Sequence, residues 1–283
     1  MARSKSLGEL RAAAEVENAR ISLPKGCAVS PLDGLPASGE RIAVPGADAT
    51  AAILYHHGGG HVFGSPATHR HLVARLAEAA GIVAFNMGYS LAPERPYPAG
   101  VEDSLANYRF VLDQGIAPER IIVAGDSAGG NLTLAMLIRA SEAGLPLPGG
   151  IHLISPWVDL RDSEPHAGFS FDRDPLIVPE ALRAWSRAYC GNSDASESKI
   201  SPLLADLTGF PPTLVQVGGA ELLLRDSLAF TNKLALAGAT VQLNVWRDQL
   251  HAWPLFHADL LLAGCRAITQ AGYWMRQILA RSR

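Results

Sequence analysis

The sequence predicts an α/β protein with a mostly parallel central sheet flanked by helices. Three observations carry that expectation. Short apolar runs bounded by Gly, Pro, Asn or Asp recur along the chain, as strands buried on both faces require. Helix-compatible segments lie between them, and such alternation builds a parallel sheet with helices on both faces. The chain has 283 residues, 48% hydrophobic and 18% charged, enough for one sizeable core.

In chain order, a helix-like start at Leu7–Asn18 leads into a loose Pro/Gly-rich passage. Strands are expected at Ala51–Tyr55, Ile82–Met87, Ile121–Ala124, Ile151–Ile154, Thr213–Val217 and Thr240–Trp246, each short and mostly β-branched or apolar. Helices are expected at His69–Ala80, Val101–Gln114, Ala128–Ala143 and Leu222–Ala237, with a last one over His257–Arg281. Two regions break the rhythm: residues 1–40, and residues 161–211 with a helix candidate at Pro179–Tyr189. In a single domain spanning 1–283, these two are the expected cap over the carboxyl edge of the sheet, where α/β proteins bind ligands.

Composition excludes several classes. The net charge is −3 and no run of Lys or Arg forms a basic stripe, so neither nucleic acid nor a membrane surface is an expected partner. No apolar stretch approaches the roughly 18 residues of a membrane span. Residues 1–20 carry charges throughout, so no signal peptide is expected. Cys27, Cys190 and Cys265 are far apart and odd in number, which fits reduced thiols in a cytoplasmic protein.

The stretch RIIVAGDSAGGNLTLAM, Arg120 to Met136, carries chemistry. A strand runs into Gly125-Asp126-Ser127-Ala128-Gly129 and then into an apolar helix, the context of a G-x-S-x-G nucleophile elbow. Ser127 would sit in a strained turn with Oγ projecting from the sheet edge, beside helix N–H groups that meet developing negative charge. An oxyanion needs further donors, and His57-Gly58-Gly59-Gly60 follows an earlier strand with backbone bare enough to supply them. The N–H of Ala128, just after the nucleophile, is another donor.

His56, His57, His61, His69 and His71 form a cluster that raises a metal reading. The three glycines between His57 and His61 oppose a helix, and no Glu completes H-E-x-x-H, so no metal is expected.

A serine nucleophile needs a base, and the base needs a carboxylate. In the chain order Ser, acid, His, the histidines after Ser127 are His152, His166, His251 and His257. His152 lies mid-strand and His166 in the expected cap. His251 falls in a short loop between the last strand and the last helix and is preferred, with His257 second. Glu221 sits on the loop leaving a strand, whereas Asp226 lies more than a turn into the next helix; Glu221 is the preferred acid.

HHGGGHVFGS, YSLAPERPYPAGVED, GDSAGGNL, SPWVDL and the Glu221 and His251 segments together resemble the bacterial hormone-sensitive-lipase family of α/β-hydrolases across most of residues 50–260. The resemblance implies an α/β-hydrolase fold with a small helical cap, and a serine carboxylesterase of short- to medium-chain esters working without cofactor. It implies a triad of Ser127, Glu221 and His251 and oxyanion donors at Gly59, Gly60 and Ala128. Lactone or amide hydrolysis on the same triad is the alternative, and a non-catalytic small-ligand receptor a more distant one. The partner is then a small ester, and a homodimer is compatible with the reading. Glu94 and Arg95 are expected to brace the elbow. Many relatives have Asp at the place of Glu221, an acidic residue at Arg225 and an aromatic residue at His61.

Overall fold

The structure, a computed structural model, describes residues 6–161, 174–256 and 262–281. Over those residues the chain forms one sheet of β1 (Ala28–Leu32), β2 (Gly39–Ala43), β3 (Asp48–His56), β4 (Ile82–Met87), β5 (Ile121–Asp126), β6 (Gly150–Ile154), β7 (Thr213–Gly218) and β8 (Val241–Trp246). The spatial order is β1-β2-β4-β3-β5-β6-β7-β8. The β1–β2 and β2–β4 pairs are antiparallel, and every later neighbour pair is parallel. The helices are α1 (Leu7–Asn18), α2 (Pro66–Ala80), α3 (Ala99–Asp113), α4 (Ala128–Glu142), α5 (Pro179–Cys190), α6 (Leu224–Leu236) and α7 (Leu262–Ala280).

The apolar strand runs are explained by burial on both faces. Within β3, Ala52 and Leu54 enter one core while Ile53 and Tyr55 enter the other, following the two-residue period of a strand. Leu54, Phe85, Val123 and Val215 pack one face together with Tyr108 of α3, Leu134 of α4 and Phe230 of α6. Ile53, Ala84, Ile122 and Leu214 pack the other with Leu76 of α2 and Met275 of α7.

Three elements, β1, β2 and α2, differ from the sequence reading. Residues 28–32 and 39–43, expected in the cap region, instead extend the sheet as β1 and β2. Both strands are partly solvent-facing at the edge, and Pro31 suits an edge strand that needs one fewer donor. Their polar, Pro-containing sequence therefore never gives an apolar run. α2 also begins at Pro66, three residues before His69, because Ser65 caps it through a reciprocal box with Thr68 and Pro66 occupies its first turn. The start of the last helix is described only from Leu262, so His257 lies outside the described residues, as does His166.

Register sets the site. Asp126 pairs with Ile154, and Ile154 with Gln216, so the carboxyl ends of β5, β6 and β7 lie side by side. Ser127, Ser155 and the loop carrying Glu221 leave the sheet from that common edge, where open α/β sheets bind ligands.

Candidate active site

Ser127 links β5 to α4 with φ 52° and ψ −121°. A positive φ is uncommon for a side-chain-bearing residue and signals a turn held by its surroundings. Four hydrogen bonds hold it: Ser127 N–H donates to Ile154 C=O (2.9 Å), and Gly130 N–H (3.0 Å), Trp157 N–H (3.1 Å) and Asn131 N–H (3.2 Å) donate to Ser127 C=O. The α4 N-terminus follows at once, so the N–H of Ala128 stands at the positive end of the helix with no partner among the described residues.

The glycine run lies alongside. Gly59 and Gly60 have φ 114° and 59°, and their N–H groups, like that of Ala128, have no partner among the described residues. A Cβ on Gly60 would stand 2.7 Å from the indole of Trp185 on α5. Asp126 anchors the start of the run by accepting from Gly58 N–H (2.9 Å), and it also takes the Tyr55 hydroxyl (2.8 Å) and faces His69 Nε2 at 3.3 Å. Burial pushes the Asp126 carboxyl up, but His69 and the Tyr55 hydroxyl outweigh it and hold the group below the ordinary range. A buried, ionised aspartate thus ties the glycine loop to the residue before Ser127.

The candidate acid follows β7 and the candidate base follows β8. His251 Nδ1 lies 3.2 Å from Glu221 Oε1, and both groups are buried. A carboxylate only accepts, so Nδ1 carries the proton and Nε2 is left basic. Glu221 Oε2 accepts from Gly218 N–H (2.8 Å) and from the Ser155 hydroxyl (2.7 Å). Burial pulls the His251 pKa down, yet the hydrogen bond and charge of Glu221, helped by Asp126 and Asp174, raise it above 6.5.

Four other histidines are held neutral. Burial drives His56, His57 and His61 down to about 3 and His152 to about 4. Each has a structural place. His56 Nδ1 meets Thr133 Oγ1 at 3.0 Å, His57 Nδ1 donates to Gly58 C=O at 2.8 Å, and His152 Nε2 meets Gln216 Oε1 at 3.0 Å. His61 stacks on Tyr189 with centroids 3.7 Å apart. Among the described residues no three His, Cys, Asp or Glu side chains converge as a metal-ligand set.

Asp226 sits apart from this pair. Its Oδ2 accepts from Val158 N–H (2.9 Å) and Asp159 N–H (3.2 Å), and burial pushes its pKa up to about 7. Glu94 and Arg95 do not brace the elbow. Both are exposed, and Glu94 instead pairs with Arg11 of α1 at 2.8 Å, because the loop carrying them faces the N-terminal helix. Arg11 also donates to Val62 C=O (2.8 Å) and Ala92 C=O (2.9 Å), fastening α1 beside the glycine loop. Sequence reasoning missed Ser155, Asp174 and Arg11. Asp174 accepts from Leu222 N–H (3.0 Å), next to Glu221, and the serine of SPWVDL was the one visible signal for Ser155.

A model of the alpha/beta hydrolase fold family matches residues 53–255. The chain belongs to the α/β-hydrolases. An acetyl-hydrolase of Streptomyces hygroscopicus is 40% identical over 224 residues, 79% of this chain and 75% of that protein. An esterase of Acinetobacter venetianus is 38% identical over 221 residues, 78% of this chain and 73% of that protein. A solved esterase of the bacterial hormone-sensitive lipase family, 38% identical, superposes with a TM-score of 0.93 over 98% of this chain and 93% of that one. This α/β-hydrolase is therefore of the hormone-sensitive-lipase type, and its reaction class is carboxylic ester hydrolysis.

Proposed function

We propose that Ser127, His251 and Glu221 are the catalytic triad and that Gly59, Gly60 and Ala128 supply the oxyanion hole. One observation carries the reading: His251 Nδ1 stands 3.2 Å from the buried carboxylate of Glu221, whereas His56, His57 and His152 meet only a hydroxyl, a carbonyl and an amide oxygen. Ser127 Oγ attacks the ester carbonyl as His251 Nε2 takes its proton. Glu221 keeps Nδ1 protonated and stabilises the imidazolium. The carbonyl oxygen becomes an oxyanion facing the peptide N–H groups, which are in place before it forms. His251 then protonates the departing alcohol, and water cleaves the acyl-enzyme by the same route.

The substrate is a small ester of short to medium acyl chain. Its support is the wall beside the glycine loop. Trp185 lies on the Gly60 face and meets Phe63 edge-on at 5.5 Å, which confines an acyl group there. α1, α5 and the Asp174 segment form the cap, since Leu182 and Tyr189 of α5 pack in one cluster with Ala128, Trp157 and Leu222. Cys27 and Cys190 are reduced thiols, which fits a cytoplasmic enzyme. Comparing kcat/KM on nitrophenyl acetate, butyrate and octanoate tests the reading. The short esters are turned over best, and Trp185→Ala shifts the preference toward octanoate. A wild-type enzyme preferring octanoate contradicts the acyl-chain assignment.

A further inference from the structure

Resting on that triad, we propose that Ser155 is a positioning residue whose hydroxyl locks the acid and the base loop into one geometry. β6 lies between the strand that delivers Ser127 and the strand that delivers Glu221, yet supplies no member of the triad. Its carboxyl end supplies Ser155 instead, with no solvent exposure. The Ser155 hydroxyl donates to Glu221 Oε2 at 2.7 Å and accepts from the N–H of Ala252 at 3.0 Å. Ala252 immediately follows His251. A single hydroxyl thus joins the acid to the backbone of the base.

The polarity of that junction is fixed. A carboxylate only accepts and an amide N–H only donates, so the one hydroxyl proton must point at Glu221. The two oxygens of Glu221 are thereby divided, Oε1 to His251 and Oε2 to Ser155 and Gly218. Ser155 and Ala252 both have left-handed φ, 47° and 48°, which side-chain-bearing residues rarely adopt. Such conformations persist where the surroundings over-determine them, and they gather at functional sites. Two of them meet at this hydroxyl.

Without the hydroxyl, Oε2 loses one of two donors and the His251–Ala252 turn loses its tether. The carboxylate is then free to swing away from Nδ1. The expected loss is in kcat, with KM little changed, since nothing here touches the substrate. A serine that merely filled a buried turn would instead lower stability and act the same with or without the acid.

A double-mutant cycle on kcat separates these roles. Ser155→Ala should lower kcat by about ten- to a hundredfold, the worth of a hydrogen bond to a charged group. In the Glu221→Gln background, where His251 is already misoriented, the same change should cost only a small fraction of that. Should Ser155→Ala not fold, Ser155→Gly is read in both backgrounds, since glycine accepts the left-handed backbone without strain. Equal losses in both backgrounds, or no loss in the native one, overturn the proposal while leaving the triad standing. Labelling of the wild type by an organophosphate is measured alongside; a label absent from Ser127 removes the triad itself and the proposal with it.

Discussion

Glu221 reaches across from the end of β7 to place Oε1 3.2 Å from Nδ1 of His251 beyond β8, with both residues buried. The amide of Glu221→Gln keeps the shape but favours the wrong imidazole tautomer, a change worth roughly 10⁴-fold in triad enzymes. That loss is expected in kcat for this variant, whereas Asp226→Asn should keep most activity because, among the described residues, Asp226 hydrogen-bonds the Val158 and Asp159 amides. Glu221→Asp should fall between the native enzyme and Glu221→Gln. A carboxylate shorter by one methylene cannot meet His251, Gly218 and Ser155 at once without movement of the loop.

The raised His251 pKa gives a pH signature. Only neutral His251 can accept the Ser127 proton, so kcat/KM must fall on acidification, with its midpoint above 6.5. Burial alone would depress the midpoint, and Glu221 is what reverses it. Glu221→Gln should therefore move the midpoint of the residual activity downward. A midpoint that stays put in Glu221→Gln would mean that another group sets the acid limb.

Asp226 predicts a stability effect of the opposite kind to most carboxylates. Its folded pKa, pushed up to about 7, exceeds the ordinary 3.8, so the folded protein holds a proton that the unfolded chain releases. The stability tied to it is full below 3.8 and is lost as the pH climbs through about 7. Asp226→Asn keeps an oxygen acceptor for the two amides and abolishes the titration. Urea denaturation should show the variant gaining on the wild type as the pH rises from 3.8 to about 7. A wild type that gains on the variant over that range would refute this.

Most of the fold was legible because its signals are local. β4 to β7 are buried throughout, mostly apolar and bounded by breakers, and the strand–elbow–helix around Ser127 is one contiguous stretch. β1 and β2 were not, because an edge hairpin with a Pro and half-exposed polar residues has no buried run to betray it. The pairing of Glu221 with His251 could be placed by loop position, since both follow strands. Ser155 and Asp174 could not. Each acts through a hydrogen bond to a residue 48 or more positions away, set by strand register rather than by any local pattern.

Gly60 tests the glycine loop. With φ 59° and the Trp185 indole 2.7 Å from a virtual Cβ, Gly60→Ala must move the loop or the ring. Displacing one oxyanion donor costs about 10²–10³ in kcat. Gly60→Ala should lose activity on that scale, and adding Trp185→Ala should restore part of it by removing the clash. Undiminished activity in Gly60→Ala would show that the N–H of this residue does not meet the oxyanion.

The central claim is that Ser127 is the nucleophile, and mass spectrometry of the organophosphate-treated enzyme tests it most directly. The account predicts one adduct per chain, on Ser127, formed in step with loss of esterase activity, and a folded Ser127→Ala protein that takes no label and is inactive. An adduct on another residue accompanying inactivation, or a folded Ser127→Ala protein that still hydrolyses nitrophenyl acetate, would contradict it.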